Sequence, residues 1–194
     1  NQIDYLVMEK AADALREINC HRELPISLSI NVSPRLFHTK DQSLERWMEL
    51  TRKISKELPV TVEITERLLI EQTQKITETL NELANMGIGI SIDDFGTGYS
   101  SLSYLTRFPV TGLKIDRSFV DGIGTNSSSE PVIETILAMA SKLNIHVVAE
   151  GVETQAQLDY LRQLECDYVQ GYFFAKPMPV DEFTALLQRN HGRH

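Results

Sequence analysis

The chain has 194 residues, 42% hydrophobic and 24% charged, and these ordinary globular proportions exclude a collagenous, disordered or disulfide-stapled protein. Its 19 Lys and Arg against 27 Asp and Glu leave a net charge of −8, so no general field draws it to nucleic acid or to an anionic membrane. A phosphate-bearing partner would therefore need a local source of positive charge, such as a bound metal. Cys20 and Cys166 lie far apart without a CxxC pair, which fits a reducing cytoplasm and no zinc site. No apolar run approaches the roughly 18 residues of a membrane span, and the first residues do not resemble a signal peptide.

The spacing of Ile3, Leu6, Val7, Ala11, Ala14, Leu15 and Ile18 predicts an opening helix over 1–19. After Pro25, the strict alternation of 26–32 predicts a strand. A helix over 44–58 follows and stops at Pro59, then a strand over 60–64. Ile76, Leu80, Leu83 and Ala84 mark a helix ending near Gly87, before a strand over 88–92. A short helix over 101–108, a strand over 112–115 and a helix over 132–143 come next. The chain closes with a strand over 145–149, a helix over 156–164, a strand at 168–169 and a helix over 182–188. The stretch 124–129, rich in Gly, Ser and Asn, reads as a surface loop.

Six strands alternating with helices imply a parallel α/β sheet with right-handed crossovers. An open doubly wound sheet gathers its ligands at one switch point, whereas a (β/α)8 TIM-like barrel uses the C-terminal ends of many strands. Asn31, Glu63, Asp93-Asp94, Lys114, Glu150 and Gln170 each lie at or just past a strand end, which favours the barrel. Six strands fall two short of eight, and the chain opens in a helix. An N-terminally truncated barrel is therefore the expected architecture over 1–194.

Carboxylates from Glu63, Asp93, Asp94 and Glu150 converging on one barrel mouth would repel one another unless cations intervened. With the Asn31 amide they form an all-oxygen set suited to Mg²⁺, Mn²⁺ or Ca²⁺, and the adjacent Asp93 and Asp94 suggest two ions. Solvation of strand ends explains any one of these residues equally well. Lys114 could orient a metal-bound water or a phosphate oxygen, or form an internal ion pair with Asp116 or Asp93. The glycine-rich turn 95–101 has neither GxGxxG nor Walker spacing and reads as a loop that closes over or senses the metal site, with Ser100 or Ser101 capping the next helix. The five histidines, His191 and His194 in the polar tail among them, read as surface residues.

Asn31-Val32-Ser33, Glu63-Ile64-Thr65-Glu66, Asp93-Asp94-Phe95-Gly96-Thr97-Gly98, Leu113-Lys114-Ile115-Asp116, Ala149-Glu150-Gly151-Val152-Glu153-Thr154 and Gln170-Gly171-Tyr172 occur in order along the chain. In order and spacing they resemble the EAL-domain family, bacterial phosphodiesterases that hydrolyse cyclic di-GMP. The resemblance implies opening of one phosphodiester bond to give linear pGpG with two Mg²⁺ or Mn²⁺ ions, Ca²⁺ being an inhibitor or a crystallisation ion. It implies that Asn31, Glu63 and Asp93 hold the first metal, that Asp93 bridges to the second, and that Asp94 approaches the second. Lys114 and Glu150 resemble the pair that positions and deprotonates the attacking water, with Glu153 and Gln170 in support. Glu66 resembles the glutamate that anchors the loop after Asp94, and that loop with the helix over 99–106 resembles a homodimer contact. The parent protein would carry sensory or GGDEF domains, with the domain itself cytoplasmic and binding no nucleic acid polymer. The Glu-Ala-Leu tripeptide is expected upstream; Asp13-Ala14-Leu15-Arg16 is a decoy on the opening helix. A catalytically silent cyclic di-GMP sensor is the alternative that the resemblance leaves open.

Overall fold

The computed structural model describes residues 2–20, 22–38, 42–97, 103–125 and 128–190. Six strands, β1 (Leu28–Asn31), β2 (Val60–Thr65), β3 (Gly89–Phe95), β4 (Gly112–Ile115), β5 (His146–Glu150) and β6 (Tyr168–Gln170), form one parallel sheet in the order β1-β2-β3-β4-β5-β6. Each strand lies beside its predecessor in the chain. A doubly wound sheet reverses direction at a switch point, and no reversal occurs here, so the winding is that of a barrel wall.

α1 (Gln2–Asn19) precedes the sheet and α10 (Val180–Asn190) follows it, while α2 (Arg35–His38), α3 (Ser43–Ser55), α4 (Glu66–Ile70), α5 (Gln74–Asn85), α6 (Ser103–Arg107), α7 (Arg117–Val120), α8 (Ser129–Leu143) and α9 (Gln155–Gln163) cross between strands. The alternation of each strand separates two faces. Val60, Val62, Ile64, Ile90, Ile92, Leu113, Ile115, Val147 and Ala149 are buried on one face with the helices. The intervening positions carry Glu63, Ser91, Asp93, Lys114 and Glu150 on the other. Ile76, Leu80 and Leu83 of α5 are fully buried at helical spacing, and each contributes about 1.5–3 kcal/mol by leaving water.

Caps fix the starts of the helices nearest the strand ends. Thr73 accepts a hydrogen bond from the Ile76 amide, and Asp116 accepts one from the Ser118 amide at 3.0 Å. Thr154 and Gln157 form a reciprocal capping box at the start of α9. Three single-turn helices, α2, α4 and α7, stand where the sequence predicts none, because one turn offers no periodicity to read. Strand β3 runs on to Phe95 instead of ending at Ile92, so Asp93 and Asp94 lie within it rather than beyond it. His146 also departs from expectation. It is a half-buried residue of β5, edge-on to Tyr168 with ring centroids 5.8 Å apart. Ser100, Ser101, His191, His194 and part of the loop 124–129 fall outside the described residues.

Gly171, just past β6, touches the segment after β5 more closely than any side chain allows. A Cβ there would fall 2.1 Å from the Val152 carbonyl oxygen and 2.3 Å from its nitrogen. Those two groups are already engaged, Val152 N–H donating to Gln170 O and Val152 O accepting from Phe173 N–H. Backbone cannot step aside as a flexible side chain can. Gly171→Ala is expected to destabilise the fold by about 3 kcal/mol, a loss of roughly 6–12 °C in Tm. Thermal unfolding followed by circular dichroism measures it, and an unchanged Tm would show that the two segments part freely.

Candidate active site

Lys114 is the electrostatic centre of the concave face. It stands on β4 with only 7% of its surface exposed, and its Nζ lies 2.7 Å from Glu63 Oε2, 2.7 Å from Glu150 Oε1 and 3.1 Å from Asp93 Oδ1. These carboxylates come from β2, β5 and β3, so one ammonium ties together both of its neighbouring strands and the strand beyond β3. The expected internal ion pair therefore forms with Asp93 but not with Asp116, which instead caps α7.

Asp93 and Asp94 are consecutive, and an ordinary strand would point them to opposite faces. The register between β3 and β4 shifts here: Ile92 pairs with Leu113, yet Phe95 pairs with Ile115, so β3 carries one extra residue. Asp94 takes up the extra residue in the left-handed region at φ 54°, a conformation that Asp tolerates better than most side chains. The alternation breaks, and Asp93, Asp94 and Glu150 offer carboxylate oxygens that all lie within 4.8 Å of one another.

Burial favours the neutral form of a carboxyl group. It is the largest influence raising the Glu150 pKa above the usual range, with Lys114 opposing and Asp93 and Glu63 adding to the rise. Asp94 is raised in the same direction by burial, then by Asp93 and Asp116, with Lys114 opposing. Burial alone would lower the Lys114 pKa, but hydrogen bonds to Glu150 and Glu63 and their charges overcome it. The ammonium is held above the ordinary lysine value. Lys114 is thus a permanent cation at neutral pH. Four carboxylates still share that single charge, a set that fits hard divalent cations such as Mg²⁺ or Mn²⁺.

The remaining predicted residues lie around this cluster. Asn31 ends β1 in register with Glu63, on an exposed position that also lines a cavity of about 520 Å³ with Tyr5, Met8 and Trp47. Gln170 ends β6 in register with Glu150 and is exposed. Glu66, 5% exposed, opens α4 directly after β2. Glu153 is not joined to the cluster by an ion pair; its Oε1 is held 2.9 Å from Arg117 Nη2. Arg117 escaped the sequence reading, although its place three residues after Lys114 was a usable signal. Asp13 pairs with Arg16 on the exposed side of α1.

The EAL domain family matches residues 1–177. The chain belongs to the EAL-domain family. Signaling protein YkoW of Bacillus subtilis is 42% identical over 162 residues, covering 84% of this chain and 20% of that protein. The probable cyclic di-GMP phosphodiesterase PdeN of Escherichia coli is 37% identical over 84% of this chain and 32% of its own length. This EAL chain thus spans between a fifth and a third of these two relatives. Among solved structures, the PaMucR phosphodiesterase in complex with c-di-GMP superimposes with a TM-score of 0.83 at 34% identity, covering 94% of this chain and 74% of that one. Klebsiella pneumoniae BlrP1, in a manganese/cy-diGMP complex, gives 0.75 at 28% identity over 91% of this chain and 44% of that one. The six parallel strands are the curled wall of an EAL TIM-like barrel.

Proposed function

We propose that this EAL chain acts as a phosphodiesterase unit that hydrolyses cyclic di-GMP to linear pGpG with two Mg²⁺ or Mn²⁺ ions. The observation that carries the reading is the excess of carboxylate over cation at the strand ends: among the described residues, Glu63, Asp93, Asp94 and Glu150 gather around Lys114. Glu63, Asp93 and Asn31 would hold one ion, and Asp93 with Asp94 the other. Bound there, the ions would neutralise the phosphate and lower the pKa of the attacking water. Lys114, permanently charged, cannot serve as a base and instead supplies a fixed positive charge against which the water and phosphate oxygens are oriented. Glu150, with its raised pKa, is suited to take the water's proton, which must be matched by a proton delivered to the leaving alkoxide. Gln170 and Glu153 lie on the segments flanking that exchange, and Glu66 would anchor the segment after Asp94. A homodimer through that segment and α6 would couple a second subunit to the site. The unit would serve as one module of a longer signalling protein.

The test is incubation with cyclic di-GMP and Mn²⁺, separating products by chromatography. The expected result is pGpG, abolished by a chelator. Binding of cyclic di-GMP with Mn²⁺ in place but no pGpG would overturn the enzymatic reading in favour of a silent sensor.

A further inference from the structure

Lys114 and Glu150 belong to chain segments that meet a second time, three residues further along each. Arg117 Nη2 contacts Glu153 Oε1 at 2.9 Å, an outer rung above the inner Lys114–Glu150 rung at 2.7 Å. The outer rung is built with some care. Asp121 Oδ2 accepts from Arg117 Nε at 3.1 Å and orients the guanidinium, leaving Nη2 for Glu153. Gly151, immediately after Glu150, sits at φ +77°, and a Cβ there would fall 2.4 Å from Arg117 Cγ. The aliphatic stem of Arg117 therefore lies against the backbone of the residue next to Glu150, in space that only glycine leaves. A second link reinforces the first. Buried Gln157 donates from Nε2 to the Val120 carbonyl at the end of α7, while its Oε1 accepts from Glu153 N and Thr154 N.

Stability does not account for this construction. The Arg117 side chain is 51% exposed and Glu153 38%, and ion pairs in such water contribute little to folding. What the rung does fix is the position of the segment that begins at Glu150. We propose, building on the metal-dependent reading of the site, that Arg117 is a positioning residue which keeps Glu150 within reach of both Lys114 and the Asp93–Asp94 pair. It touches neither metal nor substrate; it acts through Gly151 and Glu153. Groups that orient a metal site's inner residues typically alter metal affinity or activity about 10–100-fold when removed.

The test compares the chain with its Arg117→Ala and Arg117→Lys variants. Calorimetric titration with Mn²⁺ alone should show an affinity loss of about tenfold for Arg117→Ala, with kcat on cyclic di-GMP falling about 10–100-fold. KM should stay within about twofold, and Tm within roughly 4 °C, because the pair is exposed. Arg117→Lys should recover part of both losses, since an ammonium can meet Glu153 but cannot also take the Asp121 bond. Unchanged Mn²⁺ affinity together with unchanged kcat would overturn the inference. If the unmodified chain binds Mn²⁺ without hydrolysing cyclic di-GMP, the proposed activity fails and the affinity comparison still decides the role of Arg117.

Discussion

Lys114→Met is expected to lower the stability of the metal-free protein by about 3–5 kcal/mol at pH 7, the usual consequence of leaving a buried charge without its partner. Here the stranded groups are Glu63, Asp93 and Glu150, all in direct contact with the lost ammonium. Two conditions should restore the variant. Added Mn²⁺ replaces the missing positive charge and stabilises whichever state binds it. Acidification should do so too. A carboxyl whose pKa is higher folded than unfolded weakens the fold above that pKa, and the penalty fades as pH falls through the folded value. Glu150 is already raised by burial, and removing Lys114, which opposes the rise, pushes it further. In the unmodified chain the Lys114 titration runs in the same direction, stability falling as pH rises. The Lys114 pKa is raised, so its contribution is complete below the ordinary lysine value of 10.5 and is lost only in alkali above it. Urea unfolding at pH 7 and pH 5, with chelator or with Mn²⁺, measures all four conditions. Equal stability of variant and parent throughout would mean that Lys114 does not hold the cluster together.

Asp94→Asn should separate function from folding. The carboxylate is one of three that converge within 4.8 Å, and replacing it should cut the proposed turnover of cyclic di-GMP at least about a hundredfold, more than removal of an outlying positioning group. The fold should be unharmed or strengthened by up to about 1 kcal/mol. Two features of Asp94 give that sign. Its backbone stands at φ 54°, where asparagine is at least as comfortable as aspartate. Its charge is disfavoured by burial and by the proximity of Asp93 and Asp116, so a neutral isostere removes repulsion. Steady-state kinetics with Mn²⁺ and parallel thermal melts in chelator check the two halves. A variant that is both active and less stable would contradict the account of the strand irregularity given above.

Most of the architecture was legible in advance. Val60, Val62 and Ile64 alternate with Thr61 and Glu63, and Ile76, Leu80 and Leu83 recur at helical spacing, because burial of one face imposes those periods. The short helices were not legible. The single turn Arg117–Val120 contains too few residues for a period, and only its Asp116 cap marks it. The end of β3 was misplaced for another reason. Asp93-Asp94 reads as a polar strand boundary, but pairing with β4 carries the strand through to Phe95.

Sequence by itself determined which acids, amide and lysine could stand at the strand ends, since a two-residue period assigns each side chain to a face without reference to any other strand. It could not decide which of them touch. That Lys114 would bind Glu63, Asp93 and Glu150 while Asp116 turned away to cap a helix depends on the register and curvature of four strands at once. The same holds for Glu153 and Arg117, brought together by the loop after β5 and the single turn after β4, neither long enough to carry a periodic signal. Local patterning is a property of neighbouring residues, whereas the partner of a charge is chosen by packing between segments remote in the chain.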